Sequence, residues 1–200
     1  MAHVELQSNA KGLLPRLARS YTRRRFGRMV EPMEAASHHS GVLVAMGGLE
    51  TAAQLGWRRI DPSLRWLALQ AASTAIGCSW CVDYGYYEGM HDGIEPAKVR
   101  AAAEWRQSDL FDQRERVVLE YAEQATRTPA EVSDELASRL HAHFSEAEIV
   151  ELAAWVALEN LRSRFNAGLG LRSQGFSELC AVPPTAEPAL SEADRAPAVA

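Results

Sequence analysis

Apolar residues recur at helical spacing along most of the chain, and the segments they mark start and stop at recognisable signals. Asp61-Pro62 reads as an N-cap followed by proline at the first helical position. Behind it Leu64, Leu67, Ala68, Ala71 and Ala75 fall on one helical face, and Gly77 ends the run. A second segment opens at Glu95-Pro96 and runs to about Trp105. A third covers 113–125, with Val117, Val118, Tyr121 and Ala125 on one side. Ser145-Glu-Ala-Glu148 has the spacing of a capping box. It predicts a long helix with Ile149, Leu152, Ala153 and Val156 as its apolar stripe, running to Phe165 and stopping at Gly168 and Gly170. Valine and isoleucine are scattered, and no period-2 run or repeat of solenoid length occurs. The expected fold class is all-α, with short loops joining antiparallel neighbours.

Composition narrows the class without naming a function. The chain has 200 residues, is 47% hydrophobic and 24% charged, and carries a net charge of −5. These are globular values, and they exclude collagen, a coiled-coil rod and a wholly disordered chain. The acidic balance gives no reason to expect a nucleic-acid partner. Between residues 11 and 28, Lys11, Arg16, Arg19, Arg23, Arg24, Arg25 and Arg28 stand without an acid. This reads as a basic arm over residues 1–33, folded over the acidic remainder or across a subunit boundary, with a polyanion or membrane surface as the other reading. A helical domain is expected over 34–180. Residues 181–200, rich in proline, alanine and acids, are expected to form a disordered tail. The N-terminus has no apolar core, and the most apolar stretch, 41–49, is far short of the ~20 residues a membrane span needs. A cytoplasmic protein with no membrane partner is the expectation.

The chemistry concentrates at Cys78-Ser-Trp-Cys81, just after Gly77. Three cysteines in a chain of this length are not a disulfide framework. Thiols three positions apart on one helical turn face the same way and can join reversibly. At a helix N-terminus, free N–H groups lower a thiol pKa. A structural metal would want four ligands, and neither His38-His39 nor His141 with His143 supplies a matching pair, so no metal is expected. No nucleotide, flavin or haem motif is present, so no cofactor is expected. Two buried cysteines that serve only as small apolar residues are the plain alternative. Cys180, near the tail, reads as incidental and exposed.

The stretch from Ile76 to Tyr84 resembles the signature of the AhpD-like, or carboxymuconolactone decarboxylase, family. Asp61-Pro-Ser-Leu-Arg65, Phe144 to Leu152 and Asn160-Leu-Arg-Ser-Arg-Phe-Asn166 resemble its other conserved segments, so the likeness spans roughly residues 34–176. The resemblance implies an AhpD-like helical bundle and a homo-oligomer, as a dimer, trimer or hexamer. It also implies an alkylhydroperoxidase-like enzyme that reduces hydroperoxides or disulfides and draws electrons from an external thiol reductant. Cys81 would then attack and Cys78 resolve, although dithiol exchange by itself allows the reverse order. The alternatives are a small organic-acid decarboxylase or isomerase, with a pocket lined by Trp66 and Tyr84, and a non-catalytic oligomeric module.

This chain departs from the resemblance at two places. Peroxidase members place a histidine four residues after the second cysteine and a glutamate twelve before the first. Here those positions hold Gly85 and Trp66. Candidate replacements for the missing proton relay are Asp83, Tyr84, Glu88, His38 and His39, with Tyr87 a further donor. Trp80, Tyr84, Tyr86 and Tyr87 suggest an aromatic wall, either core or pocket. Of the late helix, Arg164-Phe165-Asn166 offers subunit contact or hydrogen bonds to the motif, while Arg162 and Arg164 read as a solvated face.

Overall fold

The computed structural model describes residues 2–6 and 12–180. They are helical throughout, with no strand among them. They fall into two compact units, one formed by residues up to 58 together with 168–171, the other by 59–167 and 172–180. The first contains α1 (Leu13–Phe26), α2 (Glu31–Ala36) and α3 (Ser40–Gly56). The sequence reading placed a boundary after residue 33, which falls inside α2. Much of the basic run is helical in α1, which closes on left-handed Gly27. The tail expectation lies outside the described residues.

The second unit carries α4 (Pro62–Ile76), α5 (Ser79–His91), α6 (Pro96–Ala101), α7 (Gln113–Thr126), α8 (Asp134–His143) and most of α9 (Glu146–Gly168). The cap signals are used as read. The Asp61 carboxylate accepts from the Ser63 N–H at 2.8 Å. Ser145 and Glu148 exchange both bonds of their capping box. A second box, Asp112 with Glu115, opens α7. The segment expected to run to Trp105 leaves α geometry at Ala101 and continues as a 3₁₀ turn to Gln107.

In this unit α4 packs against α5 and α7. Ala68, Ala72 and Ala122, all fully buried, let backbones approach closely, while Leu67, Val118, Leu119, Leu136 and Leu152 fill the space between. Each large aliphatic side chain buried there stabilises by roughly 1.5–3 kcal/mol. The Glu151 carboxylate on α9 accepts the Arg59 and Ile60 N–H groups at 2.9 and 3.0 Å, fixing the chain just before α4. The Arg65 guanidinium lies 5.1 Å over the Trp155 ring. Together these contacts hold α4 and α9 around the start of α5.

Candidate active site

A short linker aims two sulfurs at α9. Gly77 adopts φ 78°, a left-handed conformation that costs glycine little. Its N–H and that of Cys78 both return to the Ser73 carbonyl at 3.1 Å, closing α4. Cys78 is therefore the N-cap of α5, and its Sγ accepts the Cys81 N–H at 3.3 Å. Cys78 Sγ and Cys81 Sγ share a hydrogen bond across 2.6 Å. All three cysteines are free thiols, and Cys78 and Cys81 are 2% and 7% exposed.

One face of α9 completes the surroundings. Asn166 Nδ2 donates to Cys81 Sγ at 3.3 Å. The Ser163 hydroxyl donates to Glu159 Oε1 at 2.6 Å. Arg162 Nη1 donates to Glu159 Oε2 at 3.1 Å. Glu159, Ser163 and Asn166 are buried at 5%, 0% and 2% exposure. Their spacing of four and then three residues places them on one helical stripe.

The two thiols differ electrostatically. The hydrogen bond from the Cys81 thiol holds Cys78 below the ordinary thiol value, against burial and the nearby Glu159 charge. Burial pushes Cys81 well above that value, and the bond to Cys78 adds to the rise. Burial also raises Glu159, opposed first by Arg162 and then by the Ser163 hydroxyl. The thiolate of this pair therefore belongs at the cap, on Cys78.

The structure sorts the candidate supports. Asp83 is buried and turned from the sulfurs. Its carboxylate accepts the N–H groups of Gln174, Phe176 and Ser177 at 3.1, 2.9 and 2.8 Å, and the Ser177 hydroxyl at 2.7 Å. Tyr84 Oη donates to Glu88 at 3.1 Å, so these two serve one another. Burial pushes the Glu88 carboxyl up, and Arg162 opposes it. His38 and His39 lie in the other unit with local partners. The His38 ring meets the Glu5 carbonyl at 2.6 Å, and the His39 ring caps α3 at the Val42 N–H. Cys180, expected to be exposed, is 8% exposed within the core.

The positions of the missing relay are joined to each other. Trp66 Nε1 donates to the Gly85 carbonyl at 2.7 Å. A Cβ at Gly85 would collide with the Gln70 amide oxygen. Trp66 is 4% exposed, and Tyr84 stacks on Trp80 at 5.2 Å, so the pair weighed as a pocket lining is committed to packing. Phe176 closes the aromatic cluster edge-on to Trp80 and Tyr84, and Gln174 holds the Trp80 indole N–H at 2.8 Å. Arg162 is half-buried rather than solvated, whereas Arg164 is exposed as read. Arg162 pairs with Glu159, and Arg164 donates to the Thr126 carbonyl at 3.1 Å.

Asn166 was among the sequence candidates, whereas Glu159 and Ser163 were not. The signal available for them was polar residues placed at helical spacing on the side of α9 that also carries Leu152 and Val156. Among the described residues no cluster of three or more His, Cys, Asp or Glu side chains suits a metal ion. No helix there is long and apolar enough to cross a membrane.

Residues 42–124 match the carboxymuconolactone decarboxylase family. The fold matches that of an uncharacterized peroxidase-related protein with an alkylhydroperoxidase AhpD core, from Ralstonia eutropha JMP134. That likeness has a TM-score of 0.80 at 19% identity, over 91% of this chain and 97% of that one. Over residues 42–124 the chain is similar to the carboxymuconolactone decarboxylase family. It is also 40% identical over 124 residues to the uncharacterized protein YnjA of Escherichia coli K12. The match takes in 62% of this chain and 66% of YnjA, a little under two thirds of that relative's length. The debrominase Bmp8, solved as a cysteine-to-alanine variant with 2,3,4-tribromopyrrole, shares the fold. Its TM-score is 0.72 at 23% identity, over 80% of this chain and 85% of that one.

Proposed function

We propose that this protein is a thiol oxidoreductase that reduces small hydroperoxides through a Cys78–Cys81 dithiol/disulfide cycle. The observation that carries the reading is the capping thiol: Cys78 Sγ, at the N-terminus of α5, accepts the Cys81 N–H and lies 2.6 Å from the Cys81 sulfur, close enough to join it. A helix N-terminus favours the anion, and a thiolate is the form that attacks.

In the proposed cycle Cys78 thiolate attacks the terminal oxygen of ROOH. An S–O bond forms, the O–O bond breaks, and the alkoxide leaves as ROH after taking a proton. Cys81 then attacks the Cys78 sulfenic acid. An S–S bond forms, the S–O bond breaks, and hydroxide leaves as water with the Cys81 proton. An external dithiol reduces the disulfide and returns both protons. This order reverses the one implied by the family resemblance, because the proton-retaining thiol is Cys81. Thiols only 2% and 7% exposed favour a small substrate over a protein disulfide. Val44, Leu49 and Leu55 of α3 are exposed, the kind of apolar surface a second copy would cover.

The test is a thiol count before and after one equivalent of an organic hydroperoxide, with peptide mapping. Loss of two thiols and a Cys78–Cys81 linkage are expected, abolished by Cys78→Ser and by Cys81→Ser. An unchanged thiol count in the folded protein removes the proposal. Because a debrominase shares the fold, 2,3,4-tribromopyrrole belongs in the same assay as a rival substrate. Its turnover without hydroperoxide turnover would redirect the reading.

A further inference from the structure

The dithiol cycle needs a place to put one proton. When Cys81 attacks the Cys78 sulfenic acid it must lose its hydrogen, and the departing hydroxide must gain one. Burial keeps water from serving freely, and burial is also what holds Cys81 protonated. The two family positions that would supply a relay hold Trp66 and Gly85, which are bonded to each other. A different acid must stand beside Cys81, on an element packed against the start of α5.

We infer that Glu159, with Ser163 beside it, is the proton acceptor and donor of the resolving step, a relay supplied from α9. Three observations on geometry carry this. Glu159 is 5% exposed and stands on the same α9 stripe as Asn166, whose Nδ2 donates to Cys81 Sγ at 3.3 Å. The fully buried Ser163 hydroxyl, between them on that stripe, donates to Glu159 Oε1 at 2.6 Å and links the carboxylate to the side of the helix that meets the thiols. Arg162 holds the second carboxylate oxygen at 3.1 Å, fixing its orientation without blocking Oε1. This assignment rests on the proposed dithiol cycle and adds the residue that moves its proton.

The step balances. The Cys81 S–H bond breaks as the Cys81–Cys78 S–S bond forms, and the proton passes to the Glu159 carboxylate. The Cys78 S–O bond breaks, hydroxide leaves, and Glu159 gives the same proton to it as water forms. Glu159 ends the step ionised, as it began. The groups facing it are Cys78 and Cys81 on α5, with Ser163 and Arg162 on α9. Arg162 also acts on Glu88 of α5, which is flanked by Arg65 of α4 and by Asp92. Of these carboxylates, Glu159 is the one whose charge raises both thiols.

The experiment separates the two half-steps. Full-length protein is mixed with one equivalent of an organic hydroperoxide, and Cys78 sulfenic acid is trapped with dimedone over time, in wild type, Glu159→Gln, Glu159→Asp and Ser163→Ala. In wild type the disulfide forms quickly and little adduct is caught. Its resolving rate rises with pH as an acid of raised carboxylate value ionises. In Glu159→Gln the sulfenic acid still forms, but resolution slows about 10²-fold or more. The adduct accumulates, and the pH limb moves up to the range of the Cys81 thiol itself. Glu159→Asp recovers part of the rate and keeps the lower limb, whereas under a purely structural role the limb would stay where it is in Glu159→Gln as well. Ser163→Ala slows resolution less than Glu159→Gln, and it keeps the test alive if Gln at 159 does not fold. Resolution in Glu159→Gln at the wild-type rate with the wild-type pH limb overturns the assignment. If wild type itself forms neither adduct nor disulfide, the dithiol cycle fails instead.

Discussion

Replacing Asp83 by asparagine should be among the most costly single-atom changes available in this fold. At least four donors converge on the carboxylate. Oδ2 accepts from Gln174 and Phe176, and Oδ1 accepts from the Ser177 N–H and hydroxyl. Whichever way an asparagine amide is turned, its NH₂ faces two of them, so two bonds to a charged acceptor vanish. At about 1.5–3 kcal/mol each, the gross loss is roughly 3–6 kcal/mol. Part is returned because burial is the largest influence on this carboxyl and opposes its charge. The net cost is about 2–4 kcal/mol, a large share of the ~5–15 kcal/mol typical of a domain. Urea unfolding at neutral pH should show a lower midpoint with an unchanged slope. The pH dependence has a definite sign. Burial raises the Asp83 pKa, but the bonds from Ser177 and Phe176 outweigh it, so the folded value lies below the unfolded one of about 3.9. The stabilisation is therefore full above that unfolded value and is lost as pH falls through the folded one. The gap between wild type and variant should shrink under acid. A neutral-pH cost under about 0.5 kcal/mol, or a gap independent of pH, would falsify this account of Asp83.

Other outcomes follow from the same geometry. Near neutral pH a small alkylating reagent should label Cys78 ahead of Cys81, and Cys81→Ala should slow that labelling and raise its pH midpoint by removing the thiol donor; peptide mapping over time checks both. Trp66→Phe deletes the donor to the Gly85 carbonyl and should cost about 1 kcal/mol in chemical denaturation. Gly85→His, which puts the family histidine back, should destabilise by about 1–3 kcal/mol through collision with Gln70 and bring no gain in peroxide turnover. Cys180→Ser should leave the two-thiol loss intact, since that cysteine sits apart in the core.

Local signals were legible in the sequence because they act over three or four residues. The Asp61 cap, the Ser145–Glu148 box and the Gly77 stop work through near neighbours, and all three appear as read. Cys78-x-x-Cys81 was legible for the same reason. What escaped notice depends on partners far along the chain. Asp83 looks like a helix-surface acid until residues 174–177 fold onto it. Glu159 looks like a break in an apolar stripe until α9 is placed against the thiols. Gly85 and Trp66 read as two separate losses, yet they form one hydrogen bond. Cys180 sits next to a polar tail in sequence, but its side chain belongs to the core.

The cysteine pair and the Asn166 amide that reaches Cys81 are 85 residues apart along the polypeptide. On the ribosome, the sulfurs emerge long before the α9 side chains that surround them. A nascent chain halted before α9 carries the pair with its own cap but without Glu159, Ser163 and Asn166 beside it, so immature or C-terminally clipped molecules should show less selective thiol chemistry than the folded protein.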